Sequence, residues 1–180
     1  MEEKFNGIIR RVDELGRIVL PREMRKMLDV REGCQLQIGI VEGDKFLLSK
    51  YMPMNNMDDY AEVVLSAVGS VVEHDILICN LERVLSSNKK KYFDKILHGE
   101  AQDALYKRDV VVRKKQDDSK MIKILKDVAI TPICELIAPI IKNDDVIGGI
   151  IVVALEDKCF DEGTVKVVKS YCKFLSEILK

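Results

Sequence analysis

The sequence predicts a two-domain α+β protein, with short strands around one short helix first and an α/β domain after it. Three observations predict this. The segment Y-M-P-M-N-N-M (Tyr51–Met57) interrupts both helical and strand periodicity through Pro53 and the Asn pair. Before it, apolar residues alternate at period two or form short runs. After it, helical spacing at i, i+3, i+4 alternates with continuous apolar runs of strand length. The expected boundaries are residues 1–52 for the first domain, 53–57 for a linker and 58–180 for the second domain.

In the first domain Ile8–Asp13 reads as a strand, Glu14–Gly16 as a turn and Arg17–Leu20 as a second strand. Pro21 suits the first position of a helix, where a missing N–H costs nothing. In that helix Met24, Met27 and Leu28 share an apolar face, while Arg22, Arg25 and Lys26 project from the other side. Leu36, Ile38 and Ile40 alternate with Gln35, Gln37 and Gly39 as a half-buried strand does. Glu42-Gly43-Asp44 turns the chain into Phe46–Lys50. So few residues make a poor monomer, since a domain of about 60 residues buries only about 60% of its unfolded surface. With no disulfide or metal pattern in this stretch, dimerisation is the remaining remedy.

In the second domain Asp58 or Asp59 is placed to cap a helix bearing Tyr60, Val63, Val64, Ala67, Val68 and Val71, with Glu62 completing a capping box. Ile76–Cys79 reads as a buried strand, Ser86–Lys91 as a solvated loop, Lys91–Tyr106 as helix and Val110–Val112 as a strand. Ile133–Ile141 and Val146–Leu155 form a hairpin around K-N-D-D, with Gly148-Gly149 marking a bulge or close packing. The last helix starts at Asp161, with Phe160 and Val165 as a hydrophobic staple. It carries two apolar stripes: Val165, Val168, Cys172, Leu175, Leu179, and Val167, Tyr171, Phe174, Ile178. One stripe suffices for packing on a sheet, so the second predicts a meeting with another chain.

The formal net charge is -1, yet its distribution is uneven. Between Lys4 and Arg31 stand eight basic residues, including Arg10, Arg11, Arg17, Arg22, Arg25 and Lys26, against four acids (Asp13, Glu14, Glu23, Asp29). A solvated face laced with ion pairs is the ordinary meaning of a charge run. Here the excess of arginine, spread over strand, turn and helix, favours a polyanion, and double-stranded DNA above all. Arginine binds guanine or phosphate bidentately, and the scarcity of aromatics argues against single-strand stacking.

Five scattered cysteines with no C-x-x-C spacing read as small buried hydrophobes in a reducing cytosol. No run approaches the roughly 18 apolar residues of a membrane span, and M-E-E-K-F is no secretory signal, so a cytoplasmic protein without membrane contact is expected. His74 and His98 lie twenty-four residues apart with no second ligand at helical spacing, fit no triad motif, and read as surface or capping residues. No enzyme, metal or cofactor is predicted.

The stretch G-I-I-R-R-V-D-E-L-G-R-I-V-L-P-R-E-M-R-K-M-L-D-V-R-E-G resembles the AbrB-type swapped-hairpin family of bacterial transition-state regulators, over about residues 5–52. Strand and helix order together with P-I-I-K-N-D-D-V-I-G-G-I-I-V resembles a GAF domain over 58–180. Over nearly its whole length the chain is similar to sporulation regulators that join these two domains. That resemblance implies an N-terminal swapped-hairpin β-barrel homodimer on DNA and a C-terminal GAF-like domain that drives a homotetramer and can sense an effector. It also implies activation and repression of forespore genes. The family's DNA-contacting arginines fall on Arg10, Arg17 and Arg25, with Arg11 and Lys26 at adjacent basic positions. Lys26 lacks the guanidinium fork, which suits phosphate contact. Arg22 is not basic in every relative. Asn80, Arg83 and Cys134 are candidates to line an effector pocket, against the commoner roles of capping helices or filling core, and no effector is named by any motif. Two rivals stand beside this reading: a ligand-sensing module with vestigial DNA binding, and an antitoxin-like autoregulator.

Overall fold

The computed structural model describes residues 7–179 apart from Asp29, Glu42, Asp44 and Asp157, and the chain divides into two units, Met1–Tyr51 and Met52–Lys180. The segment expected to be a linker belongs to the second unit. Pro53–Asn56 form a 3-10 turn, and Met54 and Met57 are buried in that unit's core. Two methionines three residues apart give the segment an apolar side whose burial outweighs the interruption by Pro53.

In the first unit, helix α1 (Arg22–Met27) follows Pro21, which is the N-cap rather than the first helical residue, with φ -58°. The Arg25 N–H donates to the Pro21 carbonyl at 3.0 Å. Strands β1 (Leu36–Val41) and β2 (Lys45–Lys50) pair antiparallel. Of the turn expected between them, Glu42 and Asp44 lie outside the described residues, and Gly43 has φ +79°. The register sets Ile38 opposite Leu48 and Ile40 opposite Phe46, so these four side chains share one face. The expected strands Ile8–Asp13 and Arg17–Leu20 are not formed as a ladder. Among the described residues only the turn between them is closed, by the Asp13 N–H donating to the Arg17 carbonyl.

The second unit is a five-stranded antiparallel sheet in the order β4-β3-β7-β6-β5. Its strands are β3 (Asp75–Cys79), β4 (Val84–Ser87), β5 (Val111–Lys114), β6 (Cys134–Lys142) and β7 (Asp145–Ala154). Helices α2 (Asp58–Gly69) and α4 (Glu162–Ile178) pack on one face against Ile76, Ile78, Leu136, Ile150 and Val152. Helix α3 (Gly99–Tyr106) and the irregular chain around Ile122–Leu125 cover Leu77, Ile137, Ile151 and Val153 on the other. Both faces being covered explains why β3, β6 and β7 read as continuous apolar runs.

Asn143 and Asp144, both at positive φ, close the expected β6–β7 hairpin. A Cβ at Gly148 would strike the Cys79 carbonyl oxygen, and one at Gly149 would strike Leu105 and the Ala138 carbonyl, so the Gly pair serves close packing. Helix α4 starts as expected, with the Asp161 carboxylate accepting from the Thr164 N–H at 2.8 Å. Helix α2 departs from expectation. Its cap is Met57, with no side-chain cap hydrogen bond, because burial of Met57 fixes the entry of the chain.

The expected helix Lys91–Tyr106 forms only from Gly99, where the His98 ring accepts from the Glu100 N–H at 3.2 Å. The residues before it extend the sheet edge instead: the Asp94 N–H donates to the Val84 carbonyl and the Leu97 N–H to the Glu82 carbonyl. Ser86 and Ser87, read as loop, belong to β4. Asn88 accepts from the Ile76 N–H at 2.8 Å and donates to the His74 carbonyl at 2.7 Å. His74 is neither cap nor free surface, since its ring meets Phe160 edge-on at 5.9 Å.

The expectation of five unpaired cysteines needs correction. Cys134 and Cys159 form a disulfide, with Cα atoms 5.5 Å apart, which is within the usual range for such bonds. No local spacing announces it. The β6–β7 register sets Cys134 opposite Ala154, and the chain returns there five residues later.

Glu135, fully buried, points to the opposite face, where one carboxylate oxygen accepts from the Ile122 N–H at 2.8 Å and the other has no partner. Burial pushes its pKa up, against the Ile122 hydrogen bond and the Arg113 charge. A carboxyl whose pKa rises on folding contributes stability below its unfolded value, about 4.3, and loses it as pH climbs through the folded value. Glu135→Gln should therefore melt increasingly above the parent chain as pH rises from about 4 to about 8. A gap between the two melting curves that stays constant with pH would contradict this assignment.

Candidate nucleic-acid interface

The cationic residues from Arg10 to Lys26 lie on two short pieces of structure. One is the turn from Asp13 to Arg17. The Asp13 carboxylate accepts from the backbone N–H groups of Leu15 at 3.0 Å and Arg17 at 2.8 Å, and from Arg17 Nε at 2.7 Å. The Arg17 carbonyl accepts from the Asp13 N–H, and Gly16 passes through the turn at φ +75°. The Arg17 backbone N–H, then its guanidinium, hold the Asp13 carboxyl below its ordinary pKa. Arg17 is thus presented from a closed turn with 69% of its side chain exposed. Arg10 and Arg11, both exposed, lie on the segment entering this turn.

The second piece is α1. Arg22, Arg25 and Lys26 are spaced by three and four residues and so share one helix face. Arg25 and Lys26 fall in its last turn and Glu23 in its first, the arrangement the helix dipole favours. All six expected DNA-contacting residues are exposed. Asp13, the residue that positions Arg17, escapes a reading of the charge run alone. The signal for it is local: an Asp four residues before an Arg, with a Gly between them.

Of the three expected effector residues, Asn80 and Arg83 share one turn and Cys134 stands apart from them. Asn80 closes the β3–β4 turn, its side-chain oxygen accepting from the Glu82 and Arg83 N–H groups at 2.7 Å each while its amide donates to Asn55 at 2.6 Å. Arg83 pairs with Asp94 at 2.8 Å. Cys134 lies elsewhere. Cys79 pairs with Gly149 and Gly149 with Pro139, so Cys134 stands five residues along β6, roughly 17 Å away at strand rise. A cleft of about 860 Å³ opens at another edge, lined by Lys89, Lys90, Lys91 and Lys158 with Glu73, Asp75 and Glu156 among them, and none of the three expected residues lines it.

Residues 56–180 match the family model described as Stage V sporulation protein T C-terminal, transcription factor. The chain belongs to the stage V sporulation protein T family. Membership extends across both units: the chain is 30% identical over 176 residues to Stage V sporulation protein T of Bacillus subtilis (strain 168), covering 96% of this chain and 97% of that protein. Residues 9–55 match the model described as Antidote-toxin recognition MazE, bacterial antitoxin. Over 50 residues the chain is 48% identical to the Transition state regulatory protein AbrB of the same organism, covering 28% of this chain and 51% of that protein. The first unit of this stage V sporulation protein T family member is AbrB-like.

The second unit has a GAF-like fold. It resembles the GAF domain of Acinetobacter phosphoenolpyruvate-protein phosphotransferase with a TM-score of 0.58 at 14% identity, over 70% of this chain and 85% of that one. A type II free methionine-R-sulfoxide reductase from Thermoplasma acidophilum is similar with a TM-score of 0.51 at 14% identity, over 69% of this chain and 95% of that one. At such identity the likeness concerns fold and not activity.

Proposed function

We propose that this chain is a DNA-binding transcriptional regulator of sporulation genes, working in the cytoplasm as an interleaved dimer through its first unit and as a tetramer through its second. The observation that carries the DNA reading is the joint exposure of Arg10, Arg11, Arg17, Arg22, Arg25 and Lys26 on the Asp13-closed turn and α1, in a chain whose relatives are transcription regulators. Arg10, Arg17 and Arg25 are assigned to bases or phosphates, and Arg11, Arg22 and Lys26 to the backbone.

Dimerisation is supported by the hairpin face. Ile38, Ile40 and Phe46 are 67%, 74% and 71% exposed in the single chain, and Pro21 is the one buried residue among those described in the unit. A fold cannot gain stability from apolar side chains left in water, so a second copy must cover them. Two copies also double the arginine face and give it two-fold symmetry.

A salt titration of the full chain on duplex DNA tests the reading. The logarithm of affinity should fall steeply against the logarithm of salt, and Arg17→Ala or Arg25→Ala should flatten that slope by about one unit for each phosphate no longer neutralised. An unchanged slope removes these residues from the interface and favours a sensing module with vestigial DNA binding. The MazE match gives the antitoxin-like reading some support. Against it, the whole of Met52–Lys180 folds around a two-faced sheet, where an antitoxin would carry a short toxin-binding tail.

A further inference from the structure

The two halves of the Cys134–Cys159 disulfide differ in their surroundings. Cys134 opens β6, is fully buried and sits opposite Ala154, the last residue of β7. The Ile133 N–H donates to the Ala154 carbonyl at 2.9 Å. Cys159 is half-buried on the irregular connection from β7 to α4. After it come Phe160, buried and edge-on to His74, and Asp161, whose carboxylate caps α4. The bond thus fastens the connection back to the point on the sheet from which it left, just before the two residues that start α4.

We propose that Cys134 and Cys159 form a reversible redox site, which takes a low-molecular-weight disulfide as oxidant and a dithiol as reductant, and which sets how firmly the start of α4 is held on the sheet. Small secreted domains use disulfides to make up for thin cores, but this unit has an apolar cluster on each face of its sheet. In a reducing compartment, where the proposed function puts the chain, protein disulfides are mostly transient or redox-sensing. The inference rests on that reading for its setting only. Its chemistry belongs to the two cysteines.

Access fixes the order of events. The Cys159 thiol loses its proton to water, and its thiolate attacks one sulfur of the external disulfide, forming a mixed disulfide and releasing one thiolate. The buried Cys134, deprotonated in turn, attacks the Cys159 sulfur. The protein disulfide forms and the second external thiolate leaves. Two protein thiols are oxidised, one external disulfide is reduced to two thiols, and the protons end on the leaving thiolates. A dithiol reverses the sequence. Cys79 and Cys172 serve as internal controls, since burial pushes each thiol up to about 12, and Cys34 reports separately from the other unit.

The test uses the full chain, incubated with glutathione disulfide or with dithiothreitol, then alkylated after unfolding and mapped by peptide mass spectrometry. Oxidant should protect Cys134 and Cys159 together, with the loss of two hydrogens and a linked peptide pair. Dithiothreitol should leave both free. Cys134→Ala should accumulate glutathione on Cys159, whereas Cys159→Ala should accumulate none on Cys134. Hydrogen exchange in the first two turns of α4 should be about tenfold faster in the reduced chain, and unchanged in α2. Two thiols still open to alkylation after oxidant, a bond that survives dithiothreitol in the folded chain, or identical α4 exchange in the two states would each overturn the proposal. None of these readouts involves DNA, so failure here is distinct from failure of the proposed function.

Discussion

Ile40→Asp should weaken duplex binding by about 100-fold or more, and unfold the first unit while the second melts as before. The size of the effect depends on what lies over the hairpin. In the single chain Ile40 is 74% exposed, and a surface substitution of that kind changes stability by only about 0.5 kcal/mol. In an interleaved dimer the same position faces Phe46 and the second copy, and a carboxylate there is a buried charge without a partner, costing several kcal/mol. Calorimetry of the full chain separates the cases, because the two units should give separate transitions. An unaltered first transition with unaltered DNA binding would mean that nothing covers this face.

The second large effect concerns assembly. Helices α2 and α4 lie side by side on one face of the sheet, and each carries a second apolar stripe that is only partly covered within the chain. On α2 this stripe includes Tyr60 and Val63, both exposed, and Val71 continues it just past the end of the helix. On α4 it includes Val167, Tyr171, Phe174 and Ile178, with Phe174 44% exposed and its ring edge-on to Tyr171 at 6.4 Å. Phe174→Lys should halve the mass seen by light scattering, from tetramer to dimer, without lowering the melting temperature of the second unit. It should also weaken binding to paired sites by about 100-fold or more relative to single sites, because linkage raises avidity over a single-site affinity by roughly 10²–10⁴. A tetramer that survives the substitution places the interface elsewhere.

What was legible in the sequence was mostly local. Asp161 with Phe160 announced α4, Asn143-Asp144 announced the hairpin, and the arginines announced themselves through charge. What was hidden required pairing across distance. Phe93, Ile96 and Leu97 fit helical spacing, yet their segment bonds to the chain around β4, and the register that decides this is non-local. The disulfide spans 25 residues and depends on how β6 and β7 align. Asn80 and Arg83 share a turn, whereas the strand alignment sets Cys134 at a distance from both. In the first unit the strands that the sequence predicts beside the arginine turn are not formed within the single chain.

The closed turn at Asp13 has an entropic consequence. A free arginine on a flexible loop loses rotamer freedom when it docks, a cost of up to about 2 kcal/mol. Arg17 enters any encounter with its backbone N–H bonded to Asp13 and its Nε already held by the same carboxylate. Much of that freedom has been given up on folding, so less remains to be lost on docking. The carboxylate that subtracts a charge from the face therefore returns part of the affinity as order, and does so without the salt dependence that charge alone would bring.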